Sequence, residues 1–410
     1  MRGRNGAAEV SASIRSQFGE NGSYTVRISP FTVDQLQMDH RLQRALPPKL
    51  FPLFEEMALS GSFNITGAIQ WHAESADAPV EVAWNTELVL FRNSVQCAKP
   101  ITDICGKTLL CGYMCGDETA VYSVLDLDSL FAGGVQVSQV GGPLYYDGSD
   151  VLLGSAVPPV DELPLFQRSL FRDLTSVTFQ GPRENGVYAA APRRPITGHM
   201  FHGNATLSGM FTPSSSQGYK LDFRLQNGSL EEAARDLNEH ATVLPGNVSI
   251  FAAIQGEGKN WDTATGNGGI SIQNASLYQL PLMIQILRSL SINEKESAGF
   301  DTAFVDFQIY GSRLKLDRVL LEGSSMTLFG DGWLALEGGE PKLDLTLSSR
   351  LGQVRDQLPI VSDVLGTAGD QIAQIKVEGP LSNAEIRRDS FPGIKKAVWS
   401  IFPGAGKKPR

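Results

Sequence analysis

The chain has 410 residues and a formal net charge of −9, with no basic stripe of the kind a phosphate backbone demands, which argues against a nucleic-acid partner. Charged residues make up only 19%, while glycine occurs 42 times, a balance that suits many short strands joined by tight turns. No run of about 18 apolar residues is present to cross a bilayer as a helix. The opening Met-Arg-Gly-Arg-Asn-Gly lacks the apolar stretch of a signal peptide, so the chain reads as cytosolic or as separated from an exporting or anchoring segment.

In chain order, Val10, Ala12 and Ile14, then Tyr24, Val26 and Ile28, alternate at period two around Asn21-Gly22, which predicts a hairpin ended by Pro30. Residues 32–57 carry a helical pattern, with Val33, Leu36, Leu42 and Leu46 on one side, broken by Pro47-Pro48 and Pro52. Strand alternation resumes at Leu59 and runs past Trp71. It continues through Val80, Val82 and Trp84, and then Leu88 and Leu90. Residues 103–106 and 109–112 read as another strand pair, 125–130 as a short helix or turn, and Gly141-Gly142-Pro143 as a stop after Val135, Val137 and Val140. This first part, 1–160, is followed by an irregular, proline-rich connection over 161–198. Within that connection Leu174 to Phe179 reads as a strand and Asn185-Gly186 as a turn.

Leu207-Ser208-Gly209-Met210-Phe211 then echoes Leu59-Ser60-Gly61-Ser62-Phe63. Ser229 with Glu232 forms a capping box ahead of a helix to about His240. Leu244 to Gln255 returns to strand. An apolar helix is expected over Leu280 to Leu290.

The most regular stretch follows. Val305, Phe307 and Ile309 sit two apart, as do Leu314 and Leu316, Val319 and Leu321, Met326 and Leu328, and Leu343, Leu345 and Leu347. Each set places its apolar side chains on one face of a strand. Gly311-Ser312, Gly330-Asp331-Gly332 and Gly338 to Pro341 read as the hairpin breaks of an antiparallel meander. A helix is expected over Gly352 to Gly366 and a last strand over Ile372 to Val377. A basic and aromatic tail (391–410) ends the chain.

Side chains that carry chemistry are sparse. Cys97, Cys105, Cys111 and Cys115 admit three readings: a disulfide, with Cys105 and Cys111 across a strand-turn-strand, a metal site, or buried thiols. Their spacing does not match a paired zinc motif. His199 and His202, three apart in a strand, fall on opposite faces. No nucleophile elbow, P-loop or calcium loop is present. A glycan hydrolase is favoured only by the carboxylates and by Trp71, Trp84, Trp261 and Trp333.

Gly268 to Leu277 (Gly-Gly-Ile-Ser-Ile-Gln-Asn-Ala-Ser-Leu), Leu280-Pro281-Leu282 with its helix, Phe304 to Ile309, Leu314 to Leu321, and Leu328 to Gly332 resemble the C-terminal region of AsmA-like proteins. Leu343 to Leu347 and Ile375 to Ala384 resemble the end of that region. The likeness covers 199–390 and extends more loosely over 59–160.

The resemblance implies a mainly β fold with a few short helices, in which a long curved antiparallel sheet forms a groove open to an apolar channel. It implies a non-enzymatic lipid-binding or lipid-transfer protein of the bacterial cell envelope, supporting outer-membrane assembly. Its ligand would be phospholipid or another acyl lipid, and its partners membrane surfaces and envelope proteins, with no cofactor. It also implies periplasmic placement and a membrane helix that this chain does not contain. The twelve alternating residues from Val305 to Leu347 are then the groove candidates. A structural or adhesive β module with a sealed core is the alternative on the same alternation.

Overall fold

The structure is a computed structural model, and it describes residues 2–5, 8–39, 42, 58–96, 100–158, 194–213, 218–237, 244–258, 261–289, 300–324, 326–337, 340–351 and 371–389. Over these residues the chain is mainly β, with one long antiparallel sheet and two α-helices. It divides into two compact units. The first takes Met1–Leu225 with Gln255–Asn260, and the second Gln226–Ile254 with Trp261–Arg410.

In the first unit each strand pairs with the next: β1 (Arg2–Asn5), β2 (Ala8–Phe18), β3 (Tyr24–Gln37), β4 (Ser62–Ala73), β5 (Glu81–Val95), β6 (Ile101–Cys115), β7 (Glu118–Ala132) and β8 (Val135–Tyr146). Two short strands, β9 (Val151–Leu153) and β10 (Ile196–Met200), each pair with both β8 and β11 (Gly203–Phe211), so they share one slot end to end.

Directly paired residues lie on the same face, so the register lays side chains out in transverse rows. Leu36, Phe63, Leu90, Gly106, Leu127 and Val140 form one row, and Val33, Ile65, Leu88, Thr108, Leu125 and Gly142 the next. Phe63, Leu88, Leu90, Leu127 and Val140 belong to a single buried cluster along these rows. On the opposite face a smaller cluster of Cys111, Ala120, Tyr122, Val124 and Tyr145 is packed with Val157.

In the second unit, α1 (Leu230–Leu237) starts where Ser229 Oγ accepts a hydrogen bond of 3.3 Å from the Glu232 amide, half of the expected capping box. Strand β14 (Thr265–Gln273) leads through a 3-10 turn at Leu277–Gln279 into α2 (Pro281–Ser289). A meander follows: β15 (Phe300–Tyr310), β16 (Arg313–Gly323), β17 (Met326–Ala335), β18 (Lys342–Leu351), β19 (Gln371–Pro380) and β20 (Glu385–Asp389), each paired with its successor. Strands β12 (Tyr219–Ser229) and β13 (Asn247–Gly256) flank α1 in the chain.

Several sequence expectations are corrected. Thr32–Gln37 is the end of β3, which continues through Pro30, and is not the start of a helix. The helix-like spacing of Val33 and Leu36 comes from a bulge: Gln35 has φ 54°, its amide bonds Asn64 Oδ1 at 2.9 Å, and both flanking residues stay on the same face. Residues 125–130 lie inside β7, and Gly141-Gly142-Pro143 inside β8. Cys105 and Cys111 lie on one strand, β6, which removes the hairpin that would have bridged them. Cys105 and Cys115 are free thiols, and Cys111 is buried. Gly330-Asp331-Gly332 is mid-strand in β17, and β20 is a further strand after Gly379-Pro380.

Most of 161–198 (with its expected strand at Leu174 to Phe179 and turn at Asn185-Gly186), the helix expected over 352–366, the tail 391–410, Cys97 and His240 lie outside the described residues.

Candidate apolar site

The register of the second unit gathers the candidate residues onto one face. One row runs Ile270, Val305, Val319, Gly330, Leu347 and Ile375. The next runs Gly268, Phe307, Leu316, Gly332, Leu345, Val377 and Ile386. A third runs Gly266, Ile309, Leu314, Leu334, Leu343 and Gly379. Leu321 pairs with Leu328 in a row beyond the first, and Met326 lies two residues from Leu328 on the same strand. All twelve candidates therefore share a face, although Leu316 and Val319 are three apart. A register shift between them takes up the odd residue and restores the phase.

The reverse face carries charged pairs over part of the same span, beside an apolar row of Phe304, Leu320 and Phe329 in which Leu320 is buried. Arg318 and Asp306, register partners, form an ion pair at 2.6 Å, and Lys315 lies 2.9 Å from Asp317. Lys376 Nζ donates to Glu378 at 2.6 Å and stands 4.0 Å from Asp344. The Glu378 carboxylate holds Lys376 above its ordinary range, and Lys376 in turn holds Glu378 below its own. Both groups are exposed to water, so the pair does more to mark the polar side than to stabilise the fold.

No protein-family model, curated protein or solved structure matches the chain. What this face does must be argued from its geometry.

Eleven of the twelve candidates belong to one apolar cluster, and Ile309 is buried outside it. The cluster also holds residues beyond the twelve candidates. Met283, Ile286 and Leu287 of α2 present the i, i+3, i+4 spacing of a core-facing stripe, and Leu277, Phe300, Ile375 and Val377 join them. The sequence reading had the helix but not its task, which is to cover part of the sheet's apolar face. Leu328, Leu347, Ile375 and Val377 are completely buried. Val305, Phe307, Leu314 and Leu321 remain half-buried against the same cluster.

Glycines sit within the apolar rows and thin them. A Cβ on Gly330 would stand 1.9 Å from the Thr346 carbonyl oxygen, and one on Gly332 2.1 Å from that of Asp344, so β17 and β18 approach too closely for a side chain there. At Gly268 the obstacle is its register partner: the Phe307 ring would lie 2.4 Å from an added Cβ.

The remaining chemistry is thin. His199 is on β10 and His202 in the turn after it. Among the described residues, no group of three or more His, Cys, Asp or Glu is placed to hold a metal ion, and no helix is long and apolar enough to cross a membrane.

Proposed function

We propose that this protein is a non-enzymatic lipid-binding or lipid-transfer protein of the bacterial cell envelope, of the AsmA-like kind, which holds acyl chains against the apolar face of its sheet and supports outer-membrane assembly. One observation carries the reading. Transverse rows of aliphatic and aromatic side chains extend unbroken in polarity from β14 to β19, while the reverse face carries ion pairs. A linear hydrocarbon needs a long strip of this kind and no polar anchor, since each methylene withdrawn from water contributes about 0.8 kcal/mol. The half-buried Val305, Phe307, Leu314 and Leu321 are where an acyl chain would lie, and the curved sheet around them would form the apolar channel.

A second reading rests on α2. Its Met283, Ile286 and Leu287 share one buried cluster with Leu328, Leu347 and Val377, as in an ordinary closed core, and if the cover is complete the chain is a structural or adhesive envelope module.

Native mass spectrometry of the purified protein separates the two. Lipid transfer requires co-purified phospholipid that Phe307→Asp displaces without unfolding the chain, and an environment-sensitive hydrophobic dye that binds the native state. A lipid-free protein that ignores the dye is the closed module.

A further inference from the structure

Of the six large exposed apolar side chains among the described residues of the second unit, five lie together, and Phe251 on β13, 43% exposed, stands apart from them. Trp261, Tyr310, Trp333, Leu336 and Leu381 are each between 41% and 51% exposed. All five gather at one end of the strands. Thr265, Tyr310, Arg313, Ala335, Lys342 and Pro380 are successive register partners and mark that end. Trp261 lies in the 3-10 turn just before β14, whose Ala264 carbonyl accepts a 2.7 Å bond from the Gly311 amide of the β15–β16 turn. Leu336 and Leu381 immediately follow β17 and β19. Trp333 sits two residues from the end of β17, with its ring centroid 6.0 Å from that of Tyr310. The opposite end of β14 and β15 is the one from which α2 departs, through Ala275, whose amide bonds the Asp301 carbonyl. Among the described residues, that end carries no large exposed apolar side chain.

Charges at the same end show no basic excess, with Arg313 and Lys342 against Glu337, Glu340 and Asp262. Arg313 pairs with Glu337 at 3.4 Å, and Ser312 Oγ donates to Glu337 at 2.7 Å. Ser382 Oγ donates to Glu340, and Lys342 and Asp262 are exposed nearby. Tryptophan and tyrosine beside leucine, with polar tips and offsetting charges among them, match the headgroup level of a bilayer, where amphipathic rings are most stable. Without a basic excess, recruitment by charge to an anionic surface is excluded.

We infer that this turn-bearing end of the second unit, with Trp261, Tyr310, Trp333, Leu336 and Leu381, docks into the interfacial layer of a zwitterionic phospholipid membrane. The inference builds on the lipid-transfer reading, because it assigns the end at which lipid would enter or leave the apolar face. It stands or falls on a separate measurement.

The test is flotation of the full chain with phosphatidylcholine vesicles at low and high salt, together with quenching of tryptophan emission by bromine-labelled acyl chains. The parent protein is expected to float equally well at both salt concentrations, since desolvation rather than charge drives the contact. Replacing Trp261, Tyr310 and Trp333 by Ser should weaken partitioning by roughly tenfold or more, given the apolar area the rings withdraw from water. The Phe18→Ser and Phe91→Ser variants, which remove exposed rings of the first unit, should float as the parent does. Binding that survives the triple substitution overturns the inference, as does a parent protein that never floats. A parent oligomer that the triple variant breaks into monomers also overturns it, by making this end a protein contact. Co-purified lipid is read independently by mass spectrometry, so an empty protein that still floats refutes the groove and keeps the docking end. A lipid-loaded protein that does not float does the reverse.

Discussion

The Trp84 indole lies directly over Gly112, its register partner on the neighbouring strand, so closely that a Cβ on Gly112 would stand 1.8 Å from Trp84 Cζ2. Phe307 covers Gly268 in the second unit in the same way. A ring laid across a glycine supplies the packing the glycine lacks and shields its strand from water.

Gly112→Ala should therefore cost about 1–3 kcal/mol, since the ring must leave its place. Trp84→Leu alone also destabilises, but in the Gly112→Ala background much of the penalty is already incurred. A double-mutant cycle in urea should return a coupling energy of roughly 1 kcal/mol. Additive losses would show that the ring and the glycine do not depend on each other.

Such features explain what the sequence could and could not disclose. Strand after strand was legible wherever alternation stayed in phase, as in Leu343, Leu345 and Leu347, all buried beside exposed or half-buried polar neighbours. It failed at bulges. One extra residue turns a spacing of two into three, and Val33 and Leu36 then imitate a helix. Glycines misled in the opposite direction. Gly330 and Gly332 read as a turn, yet they are mid-strand because β18 approaches too closely for a Cβ. The apolar face was readable from its period, whereas its cover was not. That Met283, Ile286 and Leu287 of α2 join the cluster of Leu328 and Leu347 is a long-range fact that no local pattern encodes.

The two faces of the second unit should respond very differently to truncation. Leu328→Ala removes a completely buried side chain from the cluster and should cost about 2–5 kcal/mol. Asp306→Asn breaks the ion pair with Arg318 on the wet face and should cost no more than about 1 kcal/mol. Chemical denaturation of both variants checks the contrast. Equal losses would mean that the charged face, too, is packed against something.

Stability should fall at alkaline pH because of the first unit's tyrosines. Burial pushes the Tyr122 phenol above its ordinary range, with Arg194 opposing. Burial, aided by Asp147, does the same for Tyr145, whose ring centroid is 6.5 Å from that of Tyr122. A folded-state pKa raised above the unfolded one leaves stability intact below the unfolded value near pH 10, and stability is lost as pH climbs past it. The loss approaches about 1.4 kcal/mol per pH unit for each tyrosine while its folded form stays protonated. Urea midpoints from about pH 8 to about pH 11 should stay level and then drop. Tyrosinate absorbance should rise together with unfolding, and Tyr122→Phe should flatten the drop. Phenol ionisation that precedes unfolding would contradict the burial of these rings.

Phe307 offers the sharpest test of the apolar face, because it is half-buried, belongs to the cluster beneath α2, and lies over a glycine that cannot replace its contacts. Phe307→Leu keeps the surface apolar while removing the ring, so the folded protein should retain co-purified phospholipid at a modest cost in stability, about 1 kcal/mol. Phe307→Asp places a carboxylate where a hydrocarbon would lie. Desolvating that charge against an acyl chain is prohibitive, so lipid should be absent from its native mass spectrum. Thermal melts must accompany both spectra, since a lipid-free but unfolded Asp variant says nothing about the groove. A folded Asp variant that carries as much lipid as the parent would move the acyl site away from Phe307. A folded Leu variant that has lost its lipid would mean that the ring itself, and not the apolar character of the position, holds the chain.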